Sequence, residues 1–210
     1  QNQGFGDFDD FLATLTARKR KMIRKERARA TANGIDIRIF SGAELTSAHW
    51  DAFYAFYKDT GSRKWGSPYL NRAFFELLHE RMADRVALVM CERAGRWIAG
   101  TLNLIGDDTL FGRNWGCLED HDCLHFEACY YQAIDFAIAR GLDWVEAGAQ
   151  GPHKIHRGYL PRRTYSAHWI ADPGLRKAIA DYLEREREQV DWEIAQVGRE
   201  FSPYRKIEET

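Results

Sequence analysis

Apolar and polar positions alternate along this chain in two distinct rhythms, one of period two and one near 3.6. Residues 35 to 40, IDIRIF, alternate strictly and predict a strand just after an Asn33-Gly34 helix stop. Upstream, Phe8, Phe11, Leu12, Leu15, Met22 and Ile23 recur at helical spacing, with Asp7 placed as cap and Asp9 and Asp10 in the first turn. Two helices are expected next. TSAHWDAFYAFYKDTGSRKW is capped by Thr46 or Ser47; NRAFFELLHERMA is capped by Asn71 and turns Phe74, Phe75, Leu77 and Leu78 to the core. RVALVMCER and RWIAGTLNLI flank Ala94-Gly95 as a hairpin, and TLFGRNWG follows a Gly-Asp-Asp turn. HFEACYYQAIDFAIAR predicts a helix that buries Phe126, Tyr130, Ala133, Ile134 and Ala137 and stops at Gly141. A strand around Glu146 and a last strand, TYSAHWIAD, precede a long helix opened by Asp172-Pro173, with Leu175, Ile179, Leu183, Val190, Ile194 and Val197 on one stripe.

A helix that crosses between two strands implies a parallel pair, here inside a mainly antiparallel sheet. The expected class is α/β (α+β), a mixed sheet flanked by helices, with a cleft where the two parallel strands diverge. Three regions follow: a basic amphipathic helical segment at 1–33, an α/β core at 34–172, and a C-terminal helix and tail at 173–210.

Composition narrows the function classes. Of 210 residues, 45% are hydrophobic and 13% aromatic, enough for a packed core, so disorder is not the default. The net charge of −1 gives no global field for nucleic acid, and any polyanion contact must be local. Residues 18 to 30 carry eight basic side chains against one Glu, including Arg20 and Arg24. Such a ridge either solvates a helix or binds phosphate, with tRNA as the candidate partner.

The four cysteines form no CxxC pair, and reduced thiols in a cytoplasmic protein are expected. Cys117, His121, Cys123, His125 and Cys129 cluster, but their spacing is not that of a zinc knuckle, so no metal is expected. No run approaches the roughly 20 apolar residues of a membrane span, and no secretory leader is visible. The chain starts with Gln rather than Met, which suits a processed product or a piece of something longer.

The chemistry concentrates in WVEAGAQGPHKIHRGY, residues 144 to 159. Period two puts Val145, Ala147 and Ala149 on a small apolar face, and Glu146, Gly148 and Gln150 on the other. A glycine between carboxylate and amide lets a substrate backbone approach. Gly151-Pro152 ends the strand, and His153, Lys154, His156, Arg157 and Tyr159 follow. A bland reading competes: charged loops are usually solvated, and a strand Glu often pairs with an Arg.

DDFLATLTARKRKMIRKER, TGSRKWGSPYLNRAFFELL, FGRNWG, LHFEACYYQAIDFAIARGL and EAGAQGPHKIHRGYLPRRTYSAHWI together resemble the FemAB-like, peptidoglycan biosynthesis/recognition branch of the GNAT acyltransferase superfamily, over nearly the whole chain. Members are longer, with a further region upstream, so this chain looks like a C-terminal portion. The resemblance implies a GNAT-like fold and transfer of an acyl or aminoacyl group, from acyl-CoA or aminoacyl-tRNA, to an amine such as a peptidoglycan precursor. No further cofactor is implied. One departure stands out. Acetyl-CoA users place a glycine-rich basic loop after the fourth strand to cradle pyrophosphate. Here WGCLEDHDCLH brings Glu119, Asp120 and Asp122, and each like-charge approach costs on the order of 1 to 4 kcal/mol near a surface. A donor held by the basic helix fits that loop better.

Aminolysis needs a base, oxyanion stabilisation and a proton for the leaving group. Glu146 is the candidate base, directly or through water; Gln150 would position the carbonyl or donate to the oxyanion; His153 or Tyr159 would donate the proton. Lys154 and Arg157 would hold a donor phosphate or acceptor carboxylate. Phe111, Arg113 and Trp115 should share a face of the neighbouring strand, with Arg113 a second anion anchor or the partner of Glu146 or Glu127. His125 and Glu127 begin the following helix, where His125 can also cap or pack and Glu127 can serve the helix dipole. Trp65 is a candidate acceptor platform or a core residue. The alternative class is a non-catalytic module that binds peptidoglycan fragments or RNA. Oligomeric state is not readable.

Overall fold

A computed structural model of the chain describes residues 1–205 except Trp65, Ser67, Ala149 and Gln150, and only the backbone of Lys64. The chain divides into two compact units, Gln1–Gln150 and Gly151–Thr210.

The first unit is built on a sheet with, among the described residues, five strands: β1 (Ile35–Phe40), β2 (Val86–Arg93), β3 (Arg96–Ile105), β4 (Thr109–Cys117) and β5 (Trp144–Glu146), in that spatial order. The first six residues of β2 are apolar and all buried, which a strand covered on both faces requires. Ala94 and Gly95 both adopt positive φ (51° and 74°), the two-residue hairpin turn that matches strand twist. β1 to β4 pair antiparallel, and β5 pairs parallel to β4, as the crossover helix requires.

Alternation along the strands splits the core into two layers. Val86, Leu88, Met90 and Leu102 pack with Trp50, Phe53 and Phe56 of α3 (Ser47–Lys64) and Phe75 and Leu78 of α4 (Arg72–Met82). On the opposite face, Val89, Cys91 and Ala99 meet Leu124 and Ala128, while Ala87 and Leu110 meet Ala133 and Ala137. Those last residues belong to one helix, α5, with segments Leu124–Phe126, a π-helical turn Glu127–Tyr131, and Gln132–Ala139. α1 (Phe8–Thr14) and α2 (Ala17–Thr31) cover the same face. The second unit holds a 3-10 turn, Pro152–Arg157, and α6 (Pro173–Glu200), capped by Asp172, whose carboxylate accepts from Leu175 N–H at 2.6 Å.

Several expectations need correction. The N-terminal stripe forms two helices, because Thr14 donates its hydroxyl to Phe11 O (2.7 Å) and Leu15 turns extended to become fully buried. Only Phe75 and Leu78 of α4 are buried; Phe74 and Leu77, one position off that stripe, are 39% and 47% exposed. TYSAHWIAD carries no strand: Tyr165 and Trp169 are exposed, and without a ladder partner an alternating pattern stays irregular. The α6 stripe contains no fully buried residue, only partly buried ones such as Ile179, Leu183 and Ile194.

Gly116 is where α3 touches β4 most closely. A Cβ there would lie 2.5 Å from the backbone C and O of Phe56. Gly116→Ala is therefore expected to lift α3 and lower unfolding free energy by about 1–3 kcal/mol in a urea titration, as overpacking does; an unchanged midpoint would contradict the contact.

Candidate functional site

β5 pairs with β4 over three residues, the last being Phe111 with Glu146. Beyond that pair β4 runs on to Cys117, and among the described residues no strand lies along this edge of 112–117. Gly112 sits at the point of departure: its missing Cβ would meet Glu146 O at 3.2 Å. Gly148 follows at φ +69°, with nothing within 4 Å of its Cβ position. Period two orients the ends of β5. Val145 packs beside Leu110, Ala133 and Ala137 under α5, so Glu146 points from the opposite face, where it is exposed. Among the described residues no ion pair engages Glu146 or Arg113, so both charges are available at the divergence.

The neighbouring strand is less regular. Leu102 pairs with Asn114 and Asn103 with Gly112, so Arg113 is an extra residue, a β-bulge. The bulge shifts the phase. Phe111 stays on the Glu146 face, whereas Trp115 crosses to the α5 side and packs with Ile98 and Leu124. Phe111, Arg113 and Trp115 therefore do not share a face. His125 meets the Trp115 ring edge-on at 5.3 Å and also contacts Phe126 and Tyr130.

Glu127 lies on that second side too, in the interior rather than at a solvated helix start, with 2% exposure. Its Oε1 accepts from Arg27 (3.0 Å) and Gln132 (2.8 Å), and Arg27 also donates to Asp135 at 2.7 Å. Burial pushes the Arg27 guanidinium down, but the two carboxylates outweigh it and hold it above its ordinary value. Burial also raises Asp135 despite Arg27. Residues five apart on a regular helix diverge by roughly 140°; the π-turn brings Glu127 and Gln132 together. Sequence did hold a signal, because Glu127 falls on the apolar stripe of Tyr130, Ile134 and Ala137.

The acidic loop after β4 differs from its expected electrostatics. Glu119 pairs with Arg93 (3.2 Å), Arg96 (3.1 Å) and His121 (3.1 Å), and Asp122 with Arg29 (3.3 Å). The His121 hydrogen bond, with the two arginines, lowers the Glu119 carboxyl below its ordinary range. Glu119 and Asp122 therefore repel an approaching anion less than the bare sequence implies. The basic ridge is likewise partly neutralised: Arg24 pairs with Asp9 at 2.8 Å, and Arg27 and Arg29 are engaged as above, while Arg20 forms no ion pair among the described residues. Among the described residues no group of three or more His, Cys, Asp or Glu could hold a metal ion.

The second unit presents the turn Pro152–Arg157 between Gly151 (φ 102°) and Gly158 (φ 98°). Arg157, expected as an anion anchor, is 5% exposed and donates to His153 O at 2.8 Å, so it braces the turn. Lys154 N–H donates to Gly151 O (3.0 Å), and Tyr159 N–H to Lys154 O (3.2 Å). The Tyr204 hydroxyl donates to Gly158 O at 2.8 Å, and burial pushes that phenol up to about 12. Gln150 and Trp65 lie outside the described residues.

Burial, then Arg157 and Lys154, lower His153 below the ordinary histidine value. Its folded pKa thus lies under the unfolded one. The associated stability is complete above about pH 6.5 and is lost as pH falls toward the lower folded value. NMR titration of His153 is expected to give a midpoint below 6.5 that rises in Lys154→Met; a midpoint at or above 6.5 would contradict this environment.

Comparison with solved structures finds L-PGS from Bacillus licheniformis at TM-score 0.46 and 10% identity, covering 62% of this chain and 42% of that one. A possible acetyltransferase from Clostridium difficile 630 gives 0.44 at 9% identity, covering 65% and 98%. Ribosomal-protein-alanine N-acetyltransferase from Brucella melitensis biovar Abortus 2308 gives 0.40 at 14% identity, covering 66% and 99%. The chain spans 42% and 41% of the lengths of L-PGS and of a functionally unknown conserved protein from Staphylococcus epidermidis, which matches at TM-score 0.36 and 17% identity over 53% of this chain. Comparison with curated protein sequences finds no match. The profile of the FemAB-like family, described as peptidoglycan biosynthesis/recognition, matches residues 1–206, and the chain belongs to that family.

Proposed function

We propose that this chain carries out acyl or aminoacyl transfer to an amine acceptor, a peptidoglycan precursor, with Glu146 as the base. The observation that carries this reading is the exposed Glu146 carboxylate, without an ion pair among the described residues, at the point where β4 and β5 part. Membership of a peptidoglycan biosynthesis/recognition family supports the acceptor class.

The chemistry balances around one carboxylate. The acceptor nitrogen attacks the donor carbonyl carbon, and Glu146 takes the nitrogen's proton, directly or through water. The tetrahedral oxyanion collapses, the bond to the leaving sulfur or oxygen breaks, and that atom receives the proton Glu146 removed. Arg113, exposed on the bulge beside the site, anchors a donor phosphate or an acceptor carboxylate. The donor is acyl-CoA or aminoacyl-tRNA. The paired state of Glu119 and Asp122 supports room for a CoA pyrophosphate, and Arg20 of α2, which forms no ion pair among the described residues, supports an RNA contact. A cytoplasmic setting is part of this reading, supported by four cysteines that stand outside disulfides; among the described residues no helix is long and apolar enough to cross a membrane. In the second unit, His153, Lys154 and Tyr159 are proposed ligand contacts of their own turn.

Transfer of labelled acyl or aminoacyl groups from CoA thioesters and from aminoacyl-tRNA to muropeptide amines tests the assignment. Glu146→Gln is expected to lower kcat/KM by about 10²-fold or more with the melting temperature preserved. Unchanged turnover removes Glu146 as base. Strongly salt-dependent RNA or muropeptide binding with no transfer from either donor replaces the enzyme with a binding module.

A further inference from the structure

We propose a second ligand site, for a primary alkylammonium group, in the pocket between α2, β1 and the π-turn of α5. This pocket, of about 570 Å³, is lined by Arg27, Ala28, Thr31, the chain from Gly34 to Ile37, Glu127 and Gln132. It lies across the sheet from Glu146, so it does not rest on the transferase reading.

The decisive group is Glu127. Its side chain is 3% exposed, and Oε1 is already saturated by Arg27 and Gln132. Oε2 is buried and receives no hydrogen bond among the described residues. A buried carboxylate oxygen without a donor is costly, and a ligand N–H removes that cost. The lining fixes the sign of the ligand. Glu127 and its neighbour Asp135 are negative, and the positive group of the lining, Arg27, is divided between them. An anion would approach two carboxylates that share a single arginine, whereas an ammonium gives Oε2 its missing donor. Ala28, Ile35 and Ile37 supply apolar wall for the methylenes that follow the nitrogen. The π-turn belongs to the same design, since it is what holds Gln132 against Oε1 and leaves Oε2 over.

Titration of the ¹⁵N-labelled protein with n-butylamine, and separately with butyrate, tests the site by chemical shift. Butylamine is expected to give saturable shifts at Gly34–Ile37 and Glu127–Gln132, and butyrate none. Glu127→Gln is expected to weaken binding by about tenfold, the loss of one charge-assisted hydrogen bond. Should Glu127→Gln fail to fold, Ala28→Trp, at an exposed position of the lining, carries the test by abolishing binding. Equal shifts for butyrate, no saturable shift, or undiminished binding in the folded variants overturns the proposal.

Discussion

The brevity of β5 governs this structure. Parallel pairing holds it to β4 for three residues only, and the close approach of Gly112 to the Glu146 carbonyl marks where the two backbones part. Had the ladder continued, the edge of β4 from 112 to 117 would be closed, and an acidic residue on β5 would look onto a packed surface. As it stands, the same helix face that buries Val145 against Leu110 forces Glu146 outward on the other side. The carboxylate is therefore positioned by backbone pairing and apolar packing, without an ion pair of its own among the described residues.

The sheet also separates two kinds of acid. Glu146 is exposed and has no ion pair among the described residues; Glu127 is buried and held by Arg27. A buried pair of that type contributes little net stability compared with apolar packing, yet removing one partner costs about 3–5 kcal/mol because the other charge stays inside. Arg27 thus ties α2 to α5 more firmly than its neighbours do. Arg24–Asp9 and Arg29–Asp122 are exposed pairs, each worth about 0–1 kcal/mol. Their larger effect is on charge distribution: they consume part of a ridge that composition alone marks as basic, and part of a loop that it marks as acidic.

Local chemistry was legible in the chain. The Ala94-Gly95 turn and the caps at Asp7, Asn71 and Asp172 all follow from residue types with a known backbone preference. The crossover from β4 through α5 to a parallel β5 follows from element order, and the outward face of Glu146 from period two, since no bulge interrupts residues 144 to 146. What escaped depends on partners distant in sequence. Arg113 enters the ladder as an extra residue with only the adjacent Gly112 as a hint, and that single insertion moves Trp115 to the other face. The Arg27–Glu127 pair joins positions 100 residues apart, and the arginines that neutralise Glu119 come from β2 and β3. TYSAHWIAD reads as a strand because alternation encodes a face, not the neighbour that must pair with it.

A co-crystal with a non-hydrolysable acyl donor analogue is the most direct test of the claim that the β4–β5 divergence is the transfer centre. The donor carbonyl is predicted beside Glu146, along the open edge of residues 112 to 117. Donor density on the α5 side of the sheet, with the Glu146 edge empty, would contradict it.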